Sequence, residues 1–233
     1  MNFQHFLDER LNFAIYLYDS AVPPFEEIKR KINENEPPYE ECRHPEDDGS
    51  EPMFLEQWEQ ADLAVDVLGM TCLGQVQIAL NTFLREFTLR SFGQEALDSV
   101  GQMKQKSWLG NYRAAYETNP DLDWKNSGAN LELLEEVVLT RNDFQHNAEL
   151  LTQYTFQDKK HQEKYPDSSF LHPTWRTILR DRRLYVTREK LVDATDAVRT
   201  LAEYLDEALL NAQCKARVKA RSEAKATIPA VSA

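Results

Sequence analysis

The run from Met53 to about Arg90 constrains the fold more than any other stretch of the chain. Leu55, Trp58, Leu63, Val67, Val76, Leu80, Phe83, Leu84 and Phe87 recur there at three- and four-residue steps, the spacing that gathers side chains on one face of an α-helix. This segment is expected to be the spine of the domain. Gly69 and Gly74 lie in its middle. Each costs roughly 1 kcal/mol relative to Ala in a helix, so they either admit a neighbouring backbone or mark a break between two helices.

The rest of the chain supports the same class. Only 7 Gly stand among 233 residues with 28% charged and 42% hydrophobic content, a balance that favours helices and gives one large domain a substantial core. The expected class is all-α. Phe6, Leu7, Phe13, Ile15, Leu17 and Tyr18 place a first helix from Phe3 to about Ser20, stopped by Pro23-Pro24. Phe25, Ile28 and Ile32 give a second short helix before Pro37-Pro38 and an acidic loop (Glu40, Glu41, Glu46, Asp47, Asp48, Glu51). A further helix is predicted over Lys106 to Glu117, burying Trp108, Leu109, Tyr112 and Tyr116 as core rather than as a base-stacking platform. Asn119-Pro120 stops it, and a long helix starts near Asn130 and runs to about Phe156. Two extended patterns, Thr174 to Leu179 and Arg183 to Thr187, can form a small β-hairpin before the last helix. Thr187 is the expected N-cap of that helix, which runs to about Gln213. The expected organisation is therefore an N-terminal helical segment and acidic loop over 1–51, a helical domain over 52–213, and a basic flexible tail over 214–233.

Several function classes are disfavoured. Cys42, Cys72 and Cys214 lie far apart, and the five histidines show no ligand spacing, so no disulfide framework, structural metal or cofactor is expected. No apolar run approaches a bilayer-spanning length and the first residues do not read as a signal peptide. A cytoplasmic protein with no membrane association is the expectation. The net charge of −12 opposes wholesale coating of nucleic acid. An RNA contact would be confined to a local patch, since charge is screened beyond roughly 8 Å. Arg176, Arg180, Arg182 and Arg183, with Arg188, concentrate positive charge before the last helix. They read either as a guide for RNA or as a solvated turn pairing with the protein's own carboxylates.

On the helix from Asn130, Leu133, Val137, Phe144, Ala148 and Leu151 form one apolar stripe, while Leu131, Val138 and Leu139 form a second, roughly opposite. A helix apolar on both sides needs two partners. One is the domain core, and the other is expected to be a second protomer or an overlying segment. Asn142 and His146, four apart, point toward that second contact. Arg141 is turned about 140° from His146, so its long arm or a second copy must close the gap. Otherwise Arg141 pairs with Glu136, Glu149 or another surface carboxylate and His146 caps a buried hydrogen bond.

The segment LLEEVVLTRNDFQHNAELL resembles the signature of the HEPN superfamily (higher eukaryotes and prokaryotes nucleotide-binding domains): an Arg, a polar residue, a few further positions and a His on a long helix. Arg141, Asn142 and His146 match it, and Asn147 stands where a Gly often follows. The resemblance extends in helical arrangement from Met53 to Gln213. It implies an antiparallel helical bundle that dimerises so that two motifs face each other. Many such domains are metal-independent endoribonucleases, often toxins or antiviral defence factors, and an antitoxin-like nucleotidyltransferase is then an expected partner. In that scheme His146 transfers protons near neutral pH. Arg141 forks onto phosphate oxygens, and Asn142 orients the histidine or the phosphate. The charge of −12 and Asn147 leave open a catalytically silent HEPN-like binding module, or a purely structural helical protein.

Overall fold

The computed structural model describes residues 3–40, 53–105, 107–146, 154–173 and 182–226. In chain order its helices are α1 (Phe3–Ala21), α2 (Pro23–Asn33), α3 (Leu55–Phe92), α4 (Gln94–Gln102), α5 (Trp108–Tyr116), α6 (Leu131–His146), α7 (Lys159–Lys164) and α8 (Arg188–Ala226). Short 3₁₀ turns lie at Pro120–Leu122 and Trp124–Asn126. The fold is all-α.

Helix α3 is the spine expected from its periodicity, with α1, α2, α4, α6 and α8 packed along it. It runs unbroken through both glycines. Gly69 has a packing reason: a Cβ there would lie 2.9 Å from the Val186 carbonyl oxygen, so only Gly lets the chain before α8 pass this close. An 18-residue window of α3 reaches a mean hydropathy of 1.6, enough by length and composition to cross a membrane. This corrects the reading that no run comes near that length. Over half of the window, 56%, is buried inside the molecule, as expected of a core helix serving five neighbours.

Leu7, Leu11, Ala14 and Tyr18 turn α1 inward, whereas Phe6 and Phe13 remain outside the core. The Pro23-Pro24 pair ends one helix by opening the next. Proline is tolerated in a first helical turn, where its missing N–H has no partner to lose, and α2 starts on Pro23. Helix α4 is not foreseen from sequence. It is short and set off from α3 by Gly93, whose φ of +86° lies where glycine is favoured.

Ser107 caps α5 through its hydroxyl. Leu109, Tyr112 and Tyr116 bury its inner side beside Phe87 and Trp124, so Tyr112 and Tyr116 are core and Trp108 is half-buried against them. The Tyr116 hydroxyl and the Thr88 hydroxyl, 2.6 Å apart, satisfy each other inside this cluster.

Asn130 caps α6 by accepting from the Leu133 N–H. The helix does not reach Phe156. Phe156 instead bridges antiparallel to Arg183, and Leu171 bridges to Leu184. Backbone bonds from Gln157 to the Arg182 carbonyl and from Leu184 to the Thr155 carbonyl flank the first bridge. Bonds from His172 to the Arg183 carbonyl and from Tyr185 to the Phe170 carbonyl flank the second. No strand forms among the described residues. The expected hairpin arm at 174–179 lies outside them, and the other arm pairs with 155–157 and 170–172.

Thr187 caps α8 as expected, accepting from the Lys190 N–H. Leu191, Ala194, Val198, Leu201 and Leu205 lie inward. The helix continues past Gln213 to Ala226 because the basic segment is rich in Ala, Lys, Arg and Glu, all strong helix formers.

Gly69→Ala is expected to lose about 1–2 kcal/mol, since overpacking against Val186 outweighs the roughly 1 kcal/mol gained in helix propensity. Gly74→Ala should gain up to about 1 kcal/mol, because its added Cβ meets only the Arg141 Cγ at 4.0 Å. Urea unfolding of the two variants beside the wild type checks both signs.

Candidate functional site

Helix α6 contacts both α3 and α8, and its rotation follows from what each supports. Leu133, Leu134, Val137 and Val138 are buried. Val138 belongs to the side expected to await a second protomer, yet it is 1% exposed within the single chain. Leu131 and Leu139 are half-buried. Having two helical partners in its own chain, α6 keeps no fully uncovered apolar stripe. Glu136 also turns inward, where its carboxylate accepts from the Ser168 hydroxyl (2.6 Å) and the Ser169 N–H (2.7 Å).

The last turns of α6 then divide by depth. Thr140 and Asp143 are buried, Arg141 and Asn142 are half-buried, and His146 is exposed. The Arg141 stem passes over Gly74 of α3, and its Nη1 lies 3.5 Å from the Asn142 Oδ1, a long contact. Among the described residues neither a carboxylate partner for Arg141 nor a hydrogen-bond partner for His146 is found. Glu136 is already engaged, and Glu149 lies outside the described residues, as do Asn147, Ala148 and Leu151. Arg141 and Asn142 therefore meet, while His146 stands apart from them in one chain.

Asp143, inside the motif, is missed by sequence reasoning. Its Oδ2 lies 2.7 Å from the His161 Nδ1 and also accepts from the Asp158 N–H. His161 is fully buried with its ring beside Tyr165, and its Nε2 has no hydrogen-bond partner among the described residues. The pair fastens the motif turn to α7. No local signal could have revealed it, because the two residues are 18 apart and on separate helices.

The arginine group before α8 is only partly described, Arg176 and Arg180 lying outside. Arg182 donates to the Gln157 side-chain oxygen at 2.7 Å and to the Pro166 carbonyl. Arg183 joins a half-buried ionic cluster: its Nε donates to the Asp66 Oδ2 at 2.7 Å and its Nη2 to the Asp62 Oδ2 at 2.8 Å. Lys29 pairs with Asp62 from α2, and the Tyr154 hydroxyl donates to Asp62 at 2.9 Å. The Arg183 guanidinium also lies 3.6 Å above the Tyr154 ring. Among the described residues the Arg183 hydrogen bonds go to Asp62 and Asp66 and not to Arg141, Asn142 or His146.

The two carboxyls of this cluster diverge. Burial pushes Asp66 up to about 6 against the pull of Arg183, and its Oδ1 has no hydrogen-bond partner among the described residues. Burial also raises Asp62, but hydrogen bonds from Lys29 and the charge of Arg183 more than reverse this and leave it below the ordinary value. Burial, then the Arg183 charge, holds the His172 ring below the usual imidazole range.

Arg183→Ala should cost about 3–5 kcal/mol at pH 7, the usual scale for leaving buried charge unpaired. Because Asp66 binds its proton more tightly when folded, its contribution is complete below the ordinary carboxyl value and is lost as pH rises through about 6. Removing Arg183 strengthens that preference, so the cost of the substitution should shrink between pH 7 and pH 5. Urea midpoints at the two pH values measure this.

No protein-family model, curated protein or solved structure matches the chain.

Proposed function

We propose that the chain is a metal-independent endoribonuclease of HEPN type that acts as a homodimer. The observation that carries this reading is the end of α6, where the half-buried Arg141 guanidinium has no carboxylate partner among the described residues although the chain bears a net charge of −12. An arginine with no carboxylate partner among the described residues, in so acidic a protein, is suited to a phosphate. Asn142 lies beside it, and His146 is open to solvent.

Cleavage needs a base for the RNA 2′-hydroxyl, charge on the phosphorus oxygens, and an acid for the departing 5′-oxygen. His146 takes the 2′ proton as the 2′-oxygen attacks phosphorus. The bond from phosphorus to the 5′-oxygen breaks, and an imidazolium returns a proton to that oxygen. Arg141 neutralises the crowded phosphate, and the Asn142 amide orients it. Because His146 does not meet Arg141 within one chain, the second protomer supplies the missing half of the site. The resemblance extends the role to a toxin or antiviral defence factor in the cytoplasm.

One observation favours a second reading. Arg182 and Arg183 are held by Gln157, Asp62 and Asp66, which removes part of the expected RNA guide and suits a catalytically silent HEPN-like binding module.

Incubation with mixed RNAs in EDTA separates the readings. Cleavage should persist, leave 2′,3′-cyclic phosphate and 5′-hydroxyl ends, and fall at least about a hundredfold in Arg141→Ala and in His146→Ala. Mixing those two variants should restore part of it. RNA binding without His146-dependent cleavage would select the silent module, and products with a 5′-phosphate would refute attack by the 2′-oxygen.

A further inference from the structure

A cavity of about 340 Å³ lies between the start of α6, Ser169 and α8, with Asn130, Ser169, Lys190, Asp193, Asp196 and Thr200 as its polar lining. Its size is in the range of small-molecule sites. One amine lines it, that of Lys190.

Lys190 is held unlike the other lysines. Among the described residues three lysines are half-buried, Lys29, Lys31 and Lys190. Lys29 pairs with Asp62 and Lys31 with Glu27, but Lys190 has no carboxylate partner there. Its Nζ donates instead to the Leu171 carbonyl at 3.1 Å and to the Tyr185 carbonyl at 3.4 Å. Glu136, whose charge reaches it, is already occupied by Ser168 and Ser169. Two carbonyls match the two hydrogens of a neutral amine, whereas an ammonium carries a third with no acceptor. The neutral form therefore suits this position, and its lone pair meets no donor among the described residues. Burial acts in the same direction, drawing the group down to about 8 against the opposing pull of Glu136. An unprotonated lysine amine is the nucleophile that forms imines with carbonyl compounds.

The rest of the lining selects among such compounds. Asp193 and Asp196 repel phosphates and carboxylates, in a chain already at −12. The same two carboxylates accept hydrogen bonds from hydroxyls, as do Ser169 and Thr200. We propose that Lys190 is a covalent binding site for short, uncharged hydroxyaldehydes, which this cavity holds as a reversible imine. The amine lone pair attacks the aldehyde carbon and the C=O pair moves to oxygen. As the C=N bond forms, that oxygen leaves as water with both amine hydrogens. Asp193, one turn along α8 from Lys190, lines the same cavity and relays those protons. Protonated at nitrogen, the imine keeps one N–H for a carbonyl. The inference does not rest on the nuclease reading, since Arg141, Asn142 and His146 do not line this cavity.

Reductive trapping on the full chain tests it. Glyceraldehyde with sodium cyanoborohydride at neutral pH fixes each imine as a secondary amine, and peptide mass spectrometry gives the rate at every lysine. Lys190 should be labelled at least about tenfold faster than the exposed Lys125, Lys159 and Lys160. Its rate should level off as glyceraldehyde rises, while theirs stays proportional to it. Glyceraldehyde 3-phosphate should label Lys190 at least about tenfold more slowly than glyceraldehyde does, measured against those three lysines, and Asp193→Asn with Asp196→Asn should relax that preference. Labelling of Lys190 no faster than that of the exposed lysines, a rate that never levels off, indifference to the phosphate, or a preference unmoved by the two Asn substitutions would each overturn the proposal. Every one of these rates is read without RNA, so failure here and failure of RNA cleavage are separate results.

Discussion

The fold turns on the ion cluster centred on Arg183. Asp62 and Asp66 stand four residues apart on one side of α3, and the guanidinium reaches both. Lys29 closes on Asp62 from α2, and Tyr154 approaches it from the segment after α6. Three stretches distant in sequence are thereby held to one point of the spine. The bridges on either side of Arg183 follow from it, because fixing this residue places 182–185 between 155–157 and 170–172. Such a cluster adds little net stability over apolar packing of the same shape, but it penalises any other arrangement that strands two buried carboxylates. Its contribution is to arrangement more than to strength.

That arrangement reaches the candidate site through α6 and α7. Glu136 is held by Ser168 and Ser169, and Asp143 by His161 and Asp158. These two carboxylates, seven residues or about two turns apart, fix the rotation of the helix. Once they are inward, Arg141 and Asn142 are carried to the boundary and His146 into solvent. The polar residues beside the motif thus orient it, while the motif residues themselves make few contacts among the described residues.

Much of this is legible in sequence, and the rest fails for identifiable reasons. The apolar periods of α1, α3 and α8 and the caps Asn130 and Thr187 are local signals, and the helices begin close to where these place them. Helix α4 escapes because a single Gly hides the corner that separates it from α3. The end of α6 falls earlier than expected because Phe156 suits a helix as well as a bridge, and its partner, Arg183, is remote in sequence. Arg183 looks like part of a basic turn because its carboxylates lie 117 and 121 residues away. The α6 motif itself is readable, but Asp143 and His161 are not, since nothing in the spacing joins them. The exposed Phe6 and Phe13 resemble core positions because periodicity cannot tell which of two apolar faces the chain will cover.

The packing of α1 against α8 bears on the order in which the chain can acquire its structure. Tyr18 donates to the Val186 carbonyl, Arg188 pairs with Asp19, and Arg199 bonds Asp8 and Asn12, across separations of 168 to 191 residues. Closing loops of this length is slow compared with forming helices, and the entropy must be lost before the contacts return anything. During synthesis α1 leaves the ribosome long before α8 exists. Its inner face of Leu7, Leu11, Ala14 and Tyr18 can meet α3 early, but it lacks its second wall until the last helix emerges. The nascent chain consequently carries a partly open core through most of translation, an interval in which a chaperone has a hydrophobic edge to hold.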